Sequence, residues 1–207
     1  MDMRNKELSL PGSDGEHIMQ DTFSTQDKAK DFYTKQMLTY LAPQMQSFIQ
    51  QQEMVFISTA DNKGECDCSF RSGQAGFVIV LDQTRLAYAE FKGNGVMASM
   101  GNISENPHIG MLFLDFLEDK IGLHVNGKAR IMKDSSLLNL EPGLAQKLND
   151  AEDALSQKCV TWILIEVEEA YIHCSKNIPL FQKKEGVVEN TKVDYFSLEA
   201  HRNGTKV

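Results

Sequence analysis

The chain lacks long hydrophobic runs, an excess of positive charge and a cysteine framework, and each scarcity excludes a class of protein. Its longest uncharged apolar stretches, such as Val160 to Ile165, fall far short of the roughly twenty residues that a membrane helix needs. Residues Met1-Asp2-Met3-Arg4-Asn5-Lys6 show no apolar signal-peptide core, and the expectation is a soluble, cytoplasmic protein without a membrane partner. Lys and Arg number 21 against 29 Asp and Glu, a formal net charge of −8. A duplex nucleic-acid binder needs a basic face to neutralise phosphates, so no nucleic-acid partner is expected. A small basic pocket for one phosphate remains compatible with this balance.

Only four cysteines occur, at 66, 68, 159 and 174. Without an export signal a disulfide framework is not expected. Cys66-Asp67-Cys68 has a single intervening residue, which in a strand puts both thiols on one face. Paired zinc ligands usually have two to four residues between them, and no metal site is assigned. βαβ alternation, internal repeats and low-complexity tracts are also missing, which excludes a Rossmann reading.

What is present suits one good-sized domain of 207 residues, 42% hydrophobic and 24% charged. Residues 1–23 are polar, show no sustained period, and read as a flexible N-terminal arm. Ala29, Phe32, Tyr33, Met37, Tyr40 and Leu41 recur at helical spacing, predicting a helix over 27–41 behind a Ser24-Thr25 cap. Pro43 breaks that run and opens a second helix; together these make a helical cap over 24–52. Strands are then expected at Met54–Ala60, Cys66–Arg71, Gly76–Leu81, Leu86–Glu90, His108–Asp115, Ile121–Met132 and Val160–Tyr171. The first two are joined by an Asp61-Asn62-Lys63-Gly64 turn. In Ile121–Met132, Leu123, Val125, Ala129 and Ile131 alternate with His124, Asn126, Lys128 and Arg130, the signature of a half-buried strand. Helices interrupt at 96–105 and 142–157. Short turns between strands imply a mainly antiparallel, closed or nearly closed barrel.

Two segments could hold an anion. Lys92-Gly93-Asn94-Gly95 follows a strand and opens a helix carrying Ser99 and Asn102, so glycine backbone, free helix N–H groups and a lysine charge converge. Ser69-Phe70-Arg71-Ser72-Gly73 adds an Arg at a strand end, suited to a phosphate fork. Tyr171-Ile172-His173-Cys174-Ser175-Lys176 groups three reactive residue types without an Asp or Asn partner. A Cys–His nucleophile is not supported, and no catalytic residue is assigned. Trp162 reads as packing.

The ordered set formed by strand 54–60, Ser69-x-Arg71, Gly76-Phe77-Val78, Tyr88 ahead of Gly93-Asn94, Asn102 with Glu105-Asn106-Pro107, Leu112-Phe113 and Val125-Asn126-Gly127-Lys128-Ala129 resembles the pyridoxamine phosphate oxidase-like superfamily of flavin-binding split barrels. The ending Tyr171-Ile172-His173-Cys174-x-Lys176 looks like that of its oxidase-related subgroup. The resemblance implies a six-stranded antiparallel split β-barrel over residues 53–178, with N-terminal helices, two helical insertions and a C-terminal extension over 179–207. It implies a homodimer with FMN at the subunit interface and a small-molecule substrate. Arg71, Lys92, Gly93, Asn94 and Ser99, with Ser72 and Asn102 beside them, would hold the phosphate. Tyr88 and Ala89 would line the ring, and His173, Cys174 and Lys176 would lie near it or across the interface. Lys92 alone stands where true pyridoxamine phosphate oxidases carry two basic residues, and their substrate-gripping Arg and Trp pattern is missing. The expected function is therefore an FMN-dependent oxidoreductase other than a pyridoxamine phosphate oxidase. The alternative is a non-catalytic flavin-, deazaflavin- or haem-binding module.

Overall fold

A computed structural model of the chain describes residues 10–132, 139–155 and 158–183; the expected C-terminal extension falls mostly outside them. The strands form one antiparallel sheet in the order β2-β1-β5-β6-β7-β4-β3. They are β1 (Met54–Ala60), β2 (Cys66–Ser72), β3 (Val78–Val80), β4 (Arg85–Glu90), β5 (His108–Leu114), β6 (Gly122–Met132) and β7 (Thr161–His173). The sheet curls on itself as a split barrel with β2 and β3 at its edges. Seven strands replace the six expected from the resemblance. Among the described residues five α-helices accompany them: α1 (Asp14–Phe23), α2 (Gln26–Lys35), α3 (Pro43–Gln51), α4 (Ala98–Glu105) and α5 (Pro142–Asp153).

The N-terminal third departs most from expectation. An arm without a sustained period was expected over 1–23, yet Asp14–Phe23 is helical. Ser13 Oγ accepts from the Glu16 amide at 3.2 Å while the Glu16 carboxylate accepts from the Ser13 amide, a capping box that satisfies two free N–H groups. None of its residues is buried. The helix expected over 27–41 stops at Lys35 because the following residues gain more from the sheet. Leu38 exchanges backbone hydrogen bonds with Ala170 of β7 at 2.9 and 2.7 Å, and Leu41 is fully buried in the core. Pro43 opens α3 as its fixed φ and missing N–H allow.

Two cores hold the molecule. Inside the curl, Val55, Ile57, Leu86, Tyr88, Met111, Phe113, Val125, Ile163 and Ile165 pack with Ile49 of α3 and Ile103 of α4. On the outer side of β4 and β7, Ala87, Trp162 and Leu164 pack beneath Leu144 and Leu148 of α5. Trp162 is a packing residue, 3% exposed.

The long β6–β7 ribbon bends at a bulge. Asn126 pairs with Glu169 and Gly127 with Val167, leaving Glu168 as the extra residue. The bulge inverts the alternation of β7: Ile163, Ile165 and Val167 face the core before it, and Ala170 after it. At Gly127 the backbones approach so closely that a Cβ would lie 2.1 Å from the Glu166 carbonyl oxygen. Gly127→Ala is therefore expected to lower stability by at least about 1–3 kcal/mol through forced backbone movement, read as a lower urea midpoint. Gly143→Ala, where nothing lies within 4 Å, is the control and should lose far less.

Candidate functional site

The site follows from the shortness of β3. Its three residues pair with β4 only as far as Tyr88, through Val78, so Ala89 and Glu90 run on beyond β3. The inward face of β2 looks across this gap. Alternation places Asp67, Ser69 and Arg71 on that face, and Cys66, Cys68 and Phe70 on the exposed one. Arg71 Nη2 spans the split to Glu90 Oε2 at 2.9 Å and donates to Ser99 Oγ of α4 at 3.3 Å. Ser99 is itself within 3.3 Å of Asp67 Oδ2 and of Ser69 Oγ. This network is largely enclosed: the side chains of Arg71 and Glu90 are 22% and 11% exposed.

Over the network lies a cavity of about 450 Å³ lined by Asp67, Ser69, Arg71, Glu90, the stretch from Phe91 to Asn94 and that from Val96 to Met100. The loop that forms its wall turns tightly. The Gly95 amide donates to the Lys92 carbonyl at 2.9 Å, and Gly93 and Gly95 take left-handed φ of 49° and 83°. Met97 is also left-handed, at φ 58°, which delays the start of α4 to Ala98, two residues after the expected one. A second cavity of about 280 Å³ adjoins the first and is mainly apolar. Phe77, Ile79, Ala89, Phe91, Leu155 and Trp162 line it, with Ser72 and Gly73 at its edge. Arg71 and Phe91 belong to both cavities. One cleft thus has a polar end with two cations and two carboxylates and an apolar end walled by aromatic rings.

Residues 41–174 match the profile of the pyridoxamine 5'-phosphate oxidase family, a segment that contains the whole sheet and both halves of the cleft. The chain belongs to that family. No curated protein matches the sequence. Among solved structures, HupZ from Group A Streptococcus is similar, with 20% identity over 63% of this chain and 92% of its own and a TM-score of 0.48. An FMN-binding protein from Syntrophomonas wolfei shares 12% identity over 77% and 97% of the two chains, with a TM-score of 0.47. So distant a likeness assigns no residue a role.

Of the residues singled out in the sequence of this family member, Arg71, Lys92, Gly93, Asn94 and Ser99 meet at the polar end, and Ser72 and Ala89 at the apolar end. The others lie elsewhere. Tyr88 is 1% exposed and points into the inner core. Asn102 faces β1, donating to Thr59 Oγ1 at 3.1 Å. His173, Cys174 and Lys176 lie at the opposite end of β7 from Trp162, eleven or more residues at about 3.3 Å each. There His173 Nδ1 lies 2.9 Å from His124 Nε2. Burial, helped by the nearby His173, holds His124 below its ordinary imidazole value. Cys66 and Cys68 project from the outer face of β2 while Cys159 is buried beneath α5, far from any shared ligand geometry.

Asp67, Glu90 and Phe91 were missed in the sequence, and Ser69 was noted only as part of the Arg71 segment, although period-two alternation carried part of the signal. A strand whose inward face reads Asp-x-Ser-x-Arg cannot be lining a dry core.

The polar end of the cleft keeps donor capacity of the kind that a phosphate group uses. The buried Arg71 Nε–H has no partner among the described residues, while Nη2, one of whose two N–H bonds shares that guanidinium edge, donates to Glu90 and Ser99. The phosphate-suited fork is therefore half used.

Tyr88 Oη is likewise buried without a partner. Burial, and after it the Glu90 carboxylate, pushes this phenol far above its ordinary value of 10.0. Above about pH 10 the unfolded chain releases a proton that folded Tyr88 keeps, so this residue makes stability fall as pH rises. Tyr88→Phe is expected to leave stability at neutral pH unchanged or to raise it by up to about 1 kcal/mol, since no hydrogen bond is lost. It should also flatten the decline that sets in above about pH 10, as measured by urea midpoints between about pH 9 and 12.

Proposed function

We propose that the chain binds FMN in this cleft and acts as a homodimeric FMN-dependent oxidoreductase on a small substrate. The observation that carries the reading is the two-part cleft joined by Arg71. Its polar end gathers two cations, a glycine loop, a serine and helix N–H groups, and its apolar end is a cavity of about 280 Å³ lined by aromatic rings. Arg71, Lys92, Ser99 and the backbone of Gly93 and Asn94 would hold the phosphate. Ser72, Ala89 and the rings of Phe77 and Phe91 would contact the isoalloxazine and exclude water from it. Bound flavin supplies hydride and electron transfer, for which the protein provides orientation and electrostatics.

The outer face of the sheet supports the homodimer. Phe70, Phe56, Leu112, His124 and Tyr171 stand in register across β2, β1, β5, β6 and β7. Phe56 and Phe70 have ring centroids 5.5 Å apart, and His124 stacks on Tyr171 at 4.8 Å. Phe70 is 52% exposed. A row of this kind on an outer face is apolar surface of the sort that a second copy covers. In such a dimer the strand end at 173–176 would approach a cleft only from the partner subunit.

Arg71→Ala and Lys92→Ala are each expected to weaken FMN binding roughly ten- to a hundredfold while leaving riboflavin, which lacks the phosphate, unaffected. Flavin fluorescence titration measures both; equal weakening of the two ligands would show the side chains to be structural. Sedimentation should give a dimer at micromolar concentration, and Phe70→Asp should shift it to monomer. A native protein that sediments as a monomer would remove the interface from the proposal.

A further inference from the structure

We infer that Glu90 is a specificity-determining residue of the cleft: it occupies Arg71 as an internal counter-ion, and a ligand phosphate binds by taking its place. This rests on the reading of the cleft as a flavin phosphate site and adds to it the residue that sets how strongly the phosphate is held.

Three observations converge on Glu90. First, its carboxylate is anchored from both sides. Oε2 accepts from Arg71 Nη2 at 2.9 Å, and Oε1 accepts from the Phe91 amide at 3.4 Å. Second, the guanidinium is only partly satisfied. It donates to the Phe70 carbonyl at 3.1 Å, to Glu90 and to Ser99, yet its buried Nε–H has no acceptor. Nε–H and an Nη2–H lie along the same edge of the planar group and present a two-pronged fork. Glu90 and Ser99 share Nη2 and leave the Nε prong empty, whereas an acceptor with two suitably spaced oxygens satisfies both. Third, the carboxylates of Asp67 and Glu90 face the charges of Arg71 and Lys92 around a single cavity. Formal charges there cancel, and the free cleft has little net attraction for a dianion.

The physical consequence is an exchange. A largely buried ion pair adds little net stability, because desolvation offsets most of its attraction, but stripping either partner leaves an uncompensated charge. Replacing Glu90 by a phosphate oxygen keeps Arg71 compensated while the carboxylate retains its Phe91 amide and turns towards the open cavity. The cost of separating Glu90 from Arg71, and the repulsion between carboxylate and phosphate, are both charged against the phosphate-bearing ligand and not against its phosphate-free analogue.

The test compares native protein with Glu90→Gln, using FMN and riboflavin and reading flavin fluorescence. Neutralising the counter-ion should tighten FMN about tenfold and leave riboflavin within about twofold. An unchanged or weaker FMN affinity, or equal tightening of both flavins, would overturn the inference and show Glu90 to be only a support for Arg71. If neither protein binds either flavin, it is the flavin reading that fails. The exchange itself is then read with inorganic phosphate through the Arg71 Nε–H resonance, assigned by its loss in Arg71→Lys. That signal should move at about tenfold lower phosphate in Glu90→Gln than in native protein, and equal or absent responses would overturn the exchange. Should Glu90→Gln fail to fold, Asp67→Asn removes the other carboxylate and leaves the Arg71–Glu90 pair in place. It should tighten FMN about threefold and spare riboflavin; no gain would count against the charge balance proposed here.

Discussion

The bulge that bends the β6–β7 ribbon is the constraint on which the rest of the molecule depends. A thirteen-residue strand without it would run straight and expose half of its inner face. With one extra residue at Glu168, β7 turns with the curl and keeps apolar side chains on the inside from Ile163 to Ala170. The two halves of β7 then serve different neighbours. Its first half pairs with β4 from Thr161 to Glu166, and its second half receives Leu38 at Ala170. The bend requires Gly127, the position where the two backbones leave no room for a Cβ.

The cleft is a by-product of how that sheet closes. Curling brings the edges β2 and β3 near one another, but β3 ends after three residues and leaves the last part of β4 facing β2 across a gap. Polar side chains fill the gap because water reaches it and apolar ones would gain little there. Arg71 and Glu90 join the two sides, and α4 covers them from one end with Ser99. The same ion pair that ties β2 to β4 also sits at the junction of the polar and apolar cavities. Under the exchange proposed above, the structural tie would also be the ligand-responsive pair, and occupancy of the cleft would be linked to closure of the barrel.

The outer surface obeys a different logic. Where α5 covers β4 and β7, the sheet carries Trp162 and Leu164 beneath it as a second core. On the outer face of β2, β1, β5 and β6, where no helix among the described residues lies, aromatic and apolar side chains remain in a half-exposed row. Both faces of the barrel wall are thus apolar, and the described residues cover only one part of the outer one.

Much of this was legible without coordinates. The alternation of Leu123, Val125, Ala129 and Ile131 placed β6 and its inner face correctly, Pro43 marked the start of α3, and the Asp61–Gly64 turn joined β1 to β2. These are local properties, decided by the period of a strand, the fixed φ of proline and the chemistry of a tight turn. The end of α2 was not legible, because Leu38 and Leu41 fit a helical period equally well and leave it only for a sheet edge and a core formed by residues far along the chain. The family motif brought Arg71, Lys92, Gly93, Asn94 and Ser99 into view as neighbours in sequence order. It could not place Tyr88 inside the barrel, since the parity of β4 relative to the core depends on which side of the sheet closes. Nor could it pair Arg71 with Glu90, two residues nineteen positions apart that meet only because a short β3 leaves the split open. Local backbone chemistry determined the elements and their order; the path of the curled sheet alone decided which side chains share a cleft, because that is set by long-range closure and not by spacing along the chain.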